Sequence, residues 1–124
     1  MIKPEEFFEF VELPVFTRRW AQLGLDDELD LSALQWAIMQ RPRIGALVRG
    51  THGLRKMRFA PPKWRSGKSG SVRVLYVVFE DMGFVVLALA YGKNEIDDIS
   101  ASTKKQLNSL IDEVESELRR RRRA

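Results

Sequence analysis

Two nearly continuous apolar segments in the second half of this 124-residue chain limit the folds open to it. Residues 72–79 and residues 84–91 are almost wholly apolar, and they are separated only by Glu80, Asp81, Met82 and Gly83. Apolar runs of this length are typical of β-strands that are covered on both faces. The pattern therefore predicts a β-hairpin in the middle of a sheet, with other elements packed on each side of it.

Shorter segments with strand or helix periodicity surround this hairpin. They predict a strand over residues 8–11, a helix over residues 16–23, a helix from about residue 30 to Pro42, a strand over residues 54–59, and a final helix capped by Ser100 or Thr103. This order indicates the α+β class, with a small antiparallel sheet, two N-terminal helices and a C-terminal helix. We expect one domain over residues 1–118, followed by a basic, frayed tail over residues 119–124.

The composition excludes several classes of protein. The chain has no cysteine, so disulfides and thiolate metal sites are ruled out. Its longest apolar run, residues 84–91, is shorter than the ~18 residues that a membrane-spanning helix needs. Residues 1–6 are too acidic for the charged head of a signal peptide. We therefore expect a soluble cytoplasmic protein without a membrane partner.

The net charge of +4 hides a strong sorting of charges along the chain. Residues 1–30 carry eight acidic and three basic side chains, whereas residues 31–79 carry no acidic side chain at all. The ten basic residues of the acid-free stretch are Arg41, Arg43, Arg49, Arg55, Lys56, Arg58, Lys63, Arg65, Lys68 and Arg73. A stretch of this kind favours a binding surface for a polyanion such as nucleic acid.

Strand periodicity predicts where some of these cations lie. If Met57 and Phe59 pack in the core, Lys56 and Arg58 lie side by side on the other face of their strand. Arg73 interrupts an apolar strand, and it must reach a rim or a pocket because a buried cation without a partner is very costly.

The loop between these two strands combines cations, glycines and one aromatic ring. Lys63, Trp64, Arg65 and Lys68 lie in this loop, together with Gly67 and Gly70. Such a loop can wrap a phosphate backbone and stack an unpaired base, which predicts RNA binding.

RNA cleavage by attack of a 2′-hydroxyl needs a proton acceptor, a proton donor and cations on the phosphate. Lys56 or Lys68 can serve as the acceptor, because neighbouring cations disfavour the charged form of a lysine. Arg58 and Arg73 can grip the phosphate, and Tyr91 can stack on a base or donate a proton.

Each of these residues also has a structural interpretation. Lys56 and Arg58 can protect an edge strand from aggregation, and Arg73 can form an ion pair at the rim. Tyr91 can belong to the core, and the single histidine, His52, is expected to be structural.

Three linked motifs carry a resemblance to a known family. They are GTHGLRKMRF at residues 50–59, GKSGSVRVLY at residues 67–76 and YGKNE at residues 91–95. Together they resemble the HigB-type branch of the RelE toxin superfamily, which typically shows G-T-G-G-L-R-K-x-R, G-K-x-G-G-x-R-x-x-Y and Y-x-K-x-E. His52 and Ser71 stand where that pattern has glycines.

The resemblance implies a RelE-like fold and a toxin that cuts messenger RNA on the ribosome without metal or cofactor. It also implies a cognate antitoxin, a small helix-turn-helix protein through which any contact with DNA would be made. The family's phosphate-binding and catalytic positions correspond to Lys56, Arg58, Lys68, Arg73 and Tyr91, and the RNA contacts extend to Lys93 and Asn94. Two alternatives stay open, namely a ParE-like toxin that inhibits gyrase and an RNA-binding protein that does not cleave.

Overall fold

The computed structural model describes residues 8–64, 70–92 and 99–123. In chain order the elements are β1 (Glu9–Glu12), α1 (Pro14–Gln22), α2 (Asp30–Gln40), β2 (Ala46–Leu47), β3 (Arg55–Phe59), a 3₁₀ turn (Pro62–Trp64), β4 (Val72–Phe79), β5 (Phe84–Gly92) and α3 (Ala101–Arg123). The α+β class predicted from the sequence is confirmed, as are the two N-terminal helices, the C-terminal helix and the hairpin of β4 and β5.

The five strands form one sheet in the order β1-β5-β4-β3-β2, so the apolar hairpin lies at its centre. The pairs β2/β3, β3/β4 and β4/β5 are antiparallel, but β1 is parallel to β5. The sheet is therefore mixed where the sequence predicted an antiparallel one. Local periodicity shows that a segment is extended, but it does not show which strand lies beside it or in which direction.

Helices α1 and α2 cover one face of this sheet. Their apolar side chains Phe16, Trp20, Leu34 and Ile38 are buried against that face. Pro14 occupies the first turn of α1, where a missing amide hydrogen does no harm. We call this side of the protein the helix-pair side.

Helix α3 covers the opposite face, which we call the α3 side. Leu107, Ile111 and Leu118 are buried there, and they pack with strand residues such as Leu75 and Val77. The Oγ atom of Ser100 accepts a hydrogen bond of 3.1 Å from the backbone amide of Thr103, so the predicted cap is present.

The arginines after Leu118 continue α3 rather than forming a frayed tail. Arg119 contacts Glu115 on its own helix and Asp81 in the turn between β4 and β5. Arg122 donates a hydrogen bond of 2.7 Å to the carbonyl oxygen of Asp81. These contacts hold the end of the helix against the sheet.

Among the described residues, no helix has the length and apolarity needed to cross a membrane.

Candidate nucleic-acid interface

Arg58, Arg73 and Tyr91 form one row across three strands. Arg58 of β3 lies directly opposite Arg73 of β4, and Arg73 lies opposite Tyr91 of β5. Lys56 is two residues before Arg58 and lies opposite Leu75, which packs on the α3 side. Because residues that lie opposite each other share a face, all four candidate residues are on the α3 side of the sheet.

An irregularity in β5 places Tyr91 in this row. Leu75 pairs with Leu89 whereas the next residue, Tyr76, pairs with Leu87, so β5 carries the extra residue Ala88 at this point. Strict alternation would have put Tyr91 on the face of Leu87, which is the helix-pair side. The bulge reverses the alternation, so Tyr91 comes to the same face as Arg73. Bulges of this kind often redirect a side chain beside a functional site.

Three basic side chains lie on this part of the sheet, Arg58 and Arg73 in the row and Lys56 beside it. Arg58 is exposed, while Lys56 and Arg73 are half-buried. Within residues 8–64, 70–92 and 99–123, no carboxylate forms an ion pair with any of the three. Like charges directly opposite each other on adjacent strands destabilise a sheet. The arrangement is therefore unfavourable for folding alone and favours a bound anion.

Arg73 is oriented by Ser71. One guanidinium nitrogen of Arg73 donates to the carbonyl oxygen of Ser71 at 3.2 Å and to its Oγ atom at 3.0 Å. The residue that departs from the glycine of the resembled motif thus supplies a hydrogen bond to the central cation. Nothing in the sequence alone indicated that role, although Ser71 comes directly before β4 and is two residues from Arg73.

Tyr91 lies inside the protein rather than at its surface. Its side chain has 0% exposure and packs in the α3-side core. The core interpretation of Tyr91 thus matches its position, and its ring is not available for stacking on a base in this conformation.

The structure separates Lys63 and Trp64 from this row. The backbone amide of Lys63 donates to the buried carboxylate of Asp30 at 3.1 Å, and its ammonium donates to the carbonyl oxygen of Gly24 at 2.8 Å. Trp64 packs against the core of the helix-pair side. The predicted site residues Arg65, Lys68, Lys93 and Asn94 lie outside the described residues.

No protein-family model matches the chain. It is similar to a solved structure of the E. coli toxin RelE, a double arginine-to-alanine variant in the free state. The two chains are 17% identical, the match covers 73% of this chain and 87% of that chain, and the TM-score is 0.49.

His52 is part of a link between the β2–β3 loop and α3. Its ring nitrogen Nδ1 lies 2.9 Å from a carboxylate oxygen of Asp112, and its backbone amide donates to the side chain of Asn108 at 2.9 Å. These contacts agree with the structural role expected for His52.

The chemical capacity of the row follows from its side chains. Two guanidinium groups on neighbouring strands can each donate two parallel hydrogen bonds to phosphate oxygens. Lys56 adds a compact charge that, unlike arginine, can also accept a proton after losing its own. These side chains therefore have the chemistry needed to bind a phosphate group and to transfer one proton.

Proposed function

We propose that this protein is a toxin of the RelE and HigB kind that cleaves messenger RNA on the ribosome. The observation that supports it is the cross-strand pair of Arg58 and Arg73, for which the described part of the chain supplies no carboxylate partner. The two sequence motifs that contain these residues, together with the third motif at residues 91–95, support the same activity.

In the proposed reaction, Arg58 and Arg73 hold the two non-bridging oxygens of one phosphodiester group. Lys56 takes the proton of the adjacent 2′-hydroxyl, whose oxygen attacks the phosphorus. The bond from phosphorus to the 5′ oxygen breaks, and that oxygen receives a proton from a water molecule or from the ammonium group of Lys68. The products are a 2′,3′-cyclic phosphate and a 5′-hydroxyl end. Lys68, which the motif places in the loop after β3, is the alternative to Lys56 for one of the two proton transfers.

Tyr91 has a supporting role in this proposal. Tyr91 is buried and is paired with Arg73 across the strands, and we propose that its ring forms an apolar floor beneath the guanidinium group. An apolar floor excludes water and strengthens the attraction between guanidinium and phosphate.

Further RNA contacts are proposed for Lys63, Trp64 and Arg65 of the loop after β3, and for Lys93 and Asn94 of the third motif. For Lys63 this assignment requires its ammonium group to leave the carbonyl oxygen of Gly24 when RNA arrives. A cognate antitoxin, a small helix-turn-helix protein, is proposed to restrain the toxin in the cell. No metal or cofactor is assigned a step.

Induced expression in bacteria tests the proposed function. We expect translation to stop and transcripts to acquire new 5′-hydroxyl ends inside coding regions that ribosomes translate. The Arg73→Ala variant should produce neither effect, whereas Arg18→Ala, which removes an exposed cation from α1, should act like the unchanged protein.

Other outcomes would contradict this function. DNA damage and filamentation without cut transcripts would point to a protein that inhibits gyrase. A fall in translation with intact transcripts would point to RNA binding without cleavage.

A further inference from the structure

A second basic surface lies between the β2–β3 loop and the first half of α3. An open groove there is lined by Arg49 and Gly50 from the loop, by Lys104, Lys105 and Asn108 from the helix, and by the hydrogen-bonded side chains of His52 and Asp112. None of these residues belongs to the row of Arg58 and Arg73 on the sheet. The groove therefore concentrates positive charge in a place that the proposed cleavage reaction does not use.

Hydrogen bonds fix the two walls of this groove relative to each other. The side-chain amide of Asn108 donates to the carbonyl oxygen of Gly50 at 3.2 Å and accepts from the backbone amide of His52 at 2.9 Å. Gly50 has a φ of +80°, a conformation that other residues rarely adopt. A Cβ atom on Gly50 would lie only 3.8 Å from the side chain of Lys104. The lysine thus lies beside the loop backbone, and the groove is formed before any ligand binds.

The charges of α3 are sorted in a way that folding alone does not explain. Acidic residues of its second half pair with arginines that follow them, as Glu115 does with Arg119 and Glu117 with Arg121. Lys104 and Lys105 lie in the first turns, where the helix dipole disfavours cations. Neither lysine has a carboxylate partner among the described residues. A bound anion would compensate both the unfavourable interaction with the helix dipole and the lack of a carboxylate partner.

The lining of the groove indicates the chemical class of that anion. Among the described residues it contains three cations, an amide, a hydroxyl and one carboxylate, that of Asp112, which lies 2.9 Å from the His52 ring; its apolar lining residue, Ala101, is small. Protein interfaces usually have a desolvated apolar or aromatic centre, whereas contacts to nucleic-acid phosphates need only cations and hydrogen-bond donors. We propose that this groove binds the phosphate backbone of RNA, as a second contact that is independent of the cleavage proposed above.

Fluorescence anisotropy with a short, labelled single-stranded RNA tests the groove. The 2′-hydroxyls of the probe are methylated, so that no cleavage occurs during the measurement. In the Lys104→Gln/Lys105→Gln variant we expect affinity to fall about tenfold and the salt dependence to weaken by roughly 1.4 in log–log slope, because two phosphate contacts are lost. Arg49→Gln should produce about half of this change in slope from the opposite wall of the groove.

The matched control removes the same charge elsewhere. Arg18 and Arg121 are exposed, and they lie outside both the groove lining and the acid-free stretch of residues 31–79. The Arg18→Gln/Arg121→Gln variant should therefore bind the probe within about twofold of the unchanged protein. Equal losses in both double variants would overturn the proposal, because they would show a general effect of net charge.

Two further readouts separate the remaining interpretations. The melting temperature of Lys104→Gln/Lys105→Gln should stay constant or rise, since two cations leave the start of a helix. Competition by polyglutamate as strong as competition by unlabelled RNA would overturn the assignment to RNA and indicate an acidic protein partner. Unchanged probe binding in the groove variants, with cleavage still dependent on Arg73, would overturn only the proposal that the groove binds RNA. Groove-dependent probe binding without any RNA cleavage would overturn only the proposed nuclease activity.

Discussion

Arg58 and Arg73 lie directly opposite each other on adjacent antiparallel strands, so two positively charged residues form one cross-strand pair. The strands that carry them are held by other side chains, since Val72 and Val74 have no exposed surface. Repulsion between the guanidinium groups is therefore tolerated within a sheet that is stable for other reasons. This relationship leads to the first prediction.

Arg73→Ala should abolish activity and leave the fold intact. Loss of a group that stabilises charge in a transition state typically lowers the rate by about 10²–10³. The free energy of unfolding should change by less than about 1 kcal/mol, and toward greater stability, because the repulsion with Arg58 is relieved. Transcript cleavage and thermal melting measure the two effects. Early melting of the variant would show instead that Arg73 is needed for the fold.

Asp30 should be important for stability, because it connects α2 to the 3₁₀ turn. Its carboxylate is fully buried and accepts from the backbone amides of Asp26 and Lys63. Asp30→Ala leaves both amides without this acceptor, which we expect to cost about 3 kcal/mol of unfolding free energy. Asp27→Ala is the matched control, since Asp27 is exposed. Chemical denaturation compares the two, and equal midpoints would contradict the connecting role of Asp30.

The same contact explains why the structure separates Lys63 and Trp64 from the row, although the sequence grouped them with the RNA-binding loop. Adjacency in the chain grouped them with Arg65 and Lys68, but the bond to Asp30 draws them toward α2. A buried carboxylate that accepts from a distant backbone amide leaves no pattern in the sequence. The shared face of Lys56 and Arg58 was predictable, since alternation within a strand fixes the face of each side chain. The position of Arg73 opposite Arg58 depends on strand pairing and register, which alternation does not give.

The bulge in β5 could not be predicted from the sequence, for a different reason. Residues 84–91 are apolar throughout, so a change of alternation between Leu87 and Leu89 has no polar residue to reveal it.

The short strand β2, at Ala46–Leu47, was missed because two residues carry no periodicity. Gly45 before it marks a close approach, since a Cβ there would lie 2.9 Å from the ring of Tyr76.

The turn between β4 and β5 should weaken in acid. Arg43 forms a hydrogen-bonded ion pair that lowers the pKa of Glu80, and Arg119 lowers the pKa of Asp81 in the same way. A carboxyl group with a lowered pKa in the folded state contributes stability above its ordinary pKa. That contribution is lost as the pH falls through the lowered value.

Melting curves between about pH 6 and about pH 3 test this dependence. The melting temperature should fall with pH, and the Glu80→Gln/Asp81→Asn variant should show a weaker fall. Glu113→Gln, which changes an exposed residue of α3, serves as the control. The same pH dependence in all three proteins would show that these ion pairs do not hold the turn.

Variants of Tyr91 test whether this residue takes part in the chemistry or only supports the site. Its ring is fully buried, so Tyr91→Ala should lower the free energy of unfolding by about 3–5 kcal/mol through the cavity it leaves. Tyr91→Phe keeps the ring and removes only the hydroxyl, so a supporting role predicts nearly unchanged cleavage. A proton donor would instead cost about 10²–10⁴ in rate when its hydroxyl is removed. Single-turnover cleavage by Tyr91→Phe, with melting measured in parallel, separates these magnitudes. A loss of that size at an unchanged melting temperature would place the hydroxyl of Tyr91 in the reaction and would contradict the supporting role.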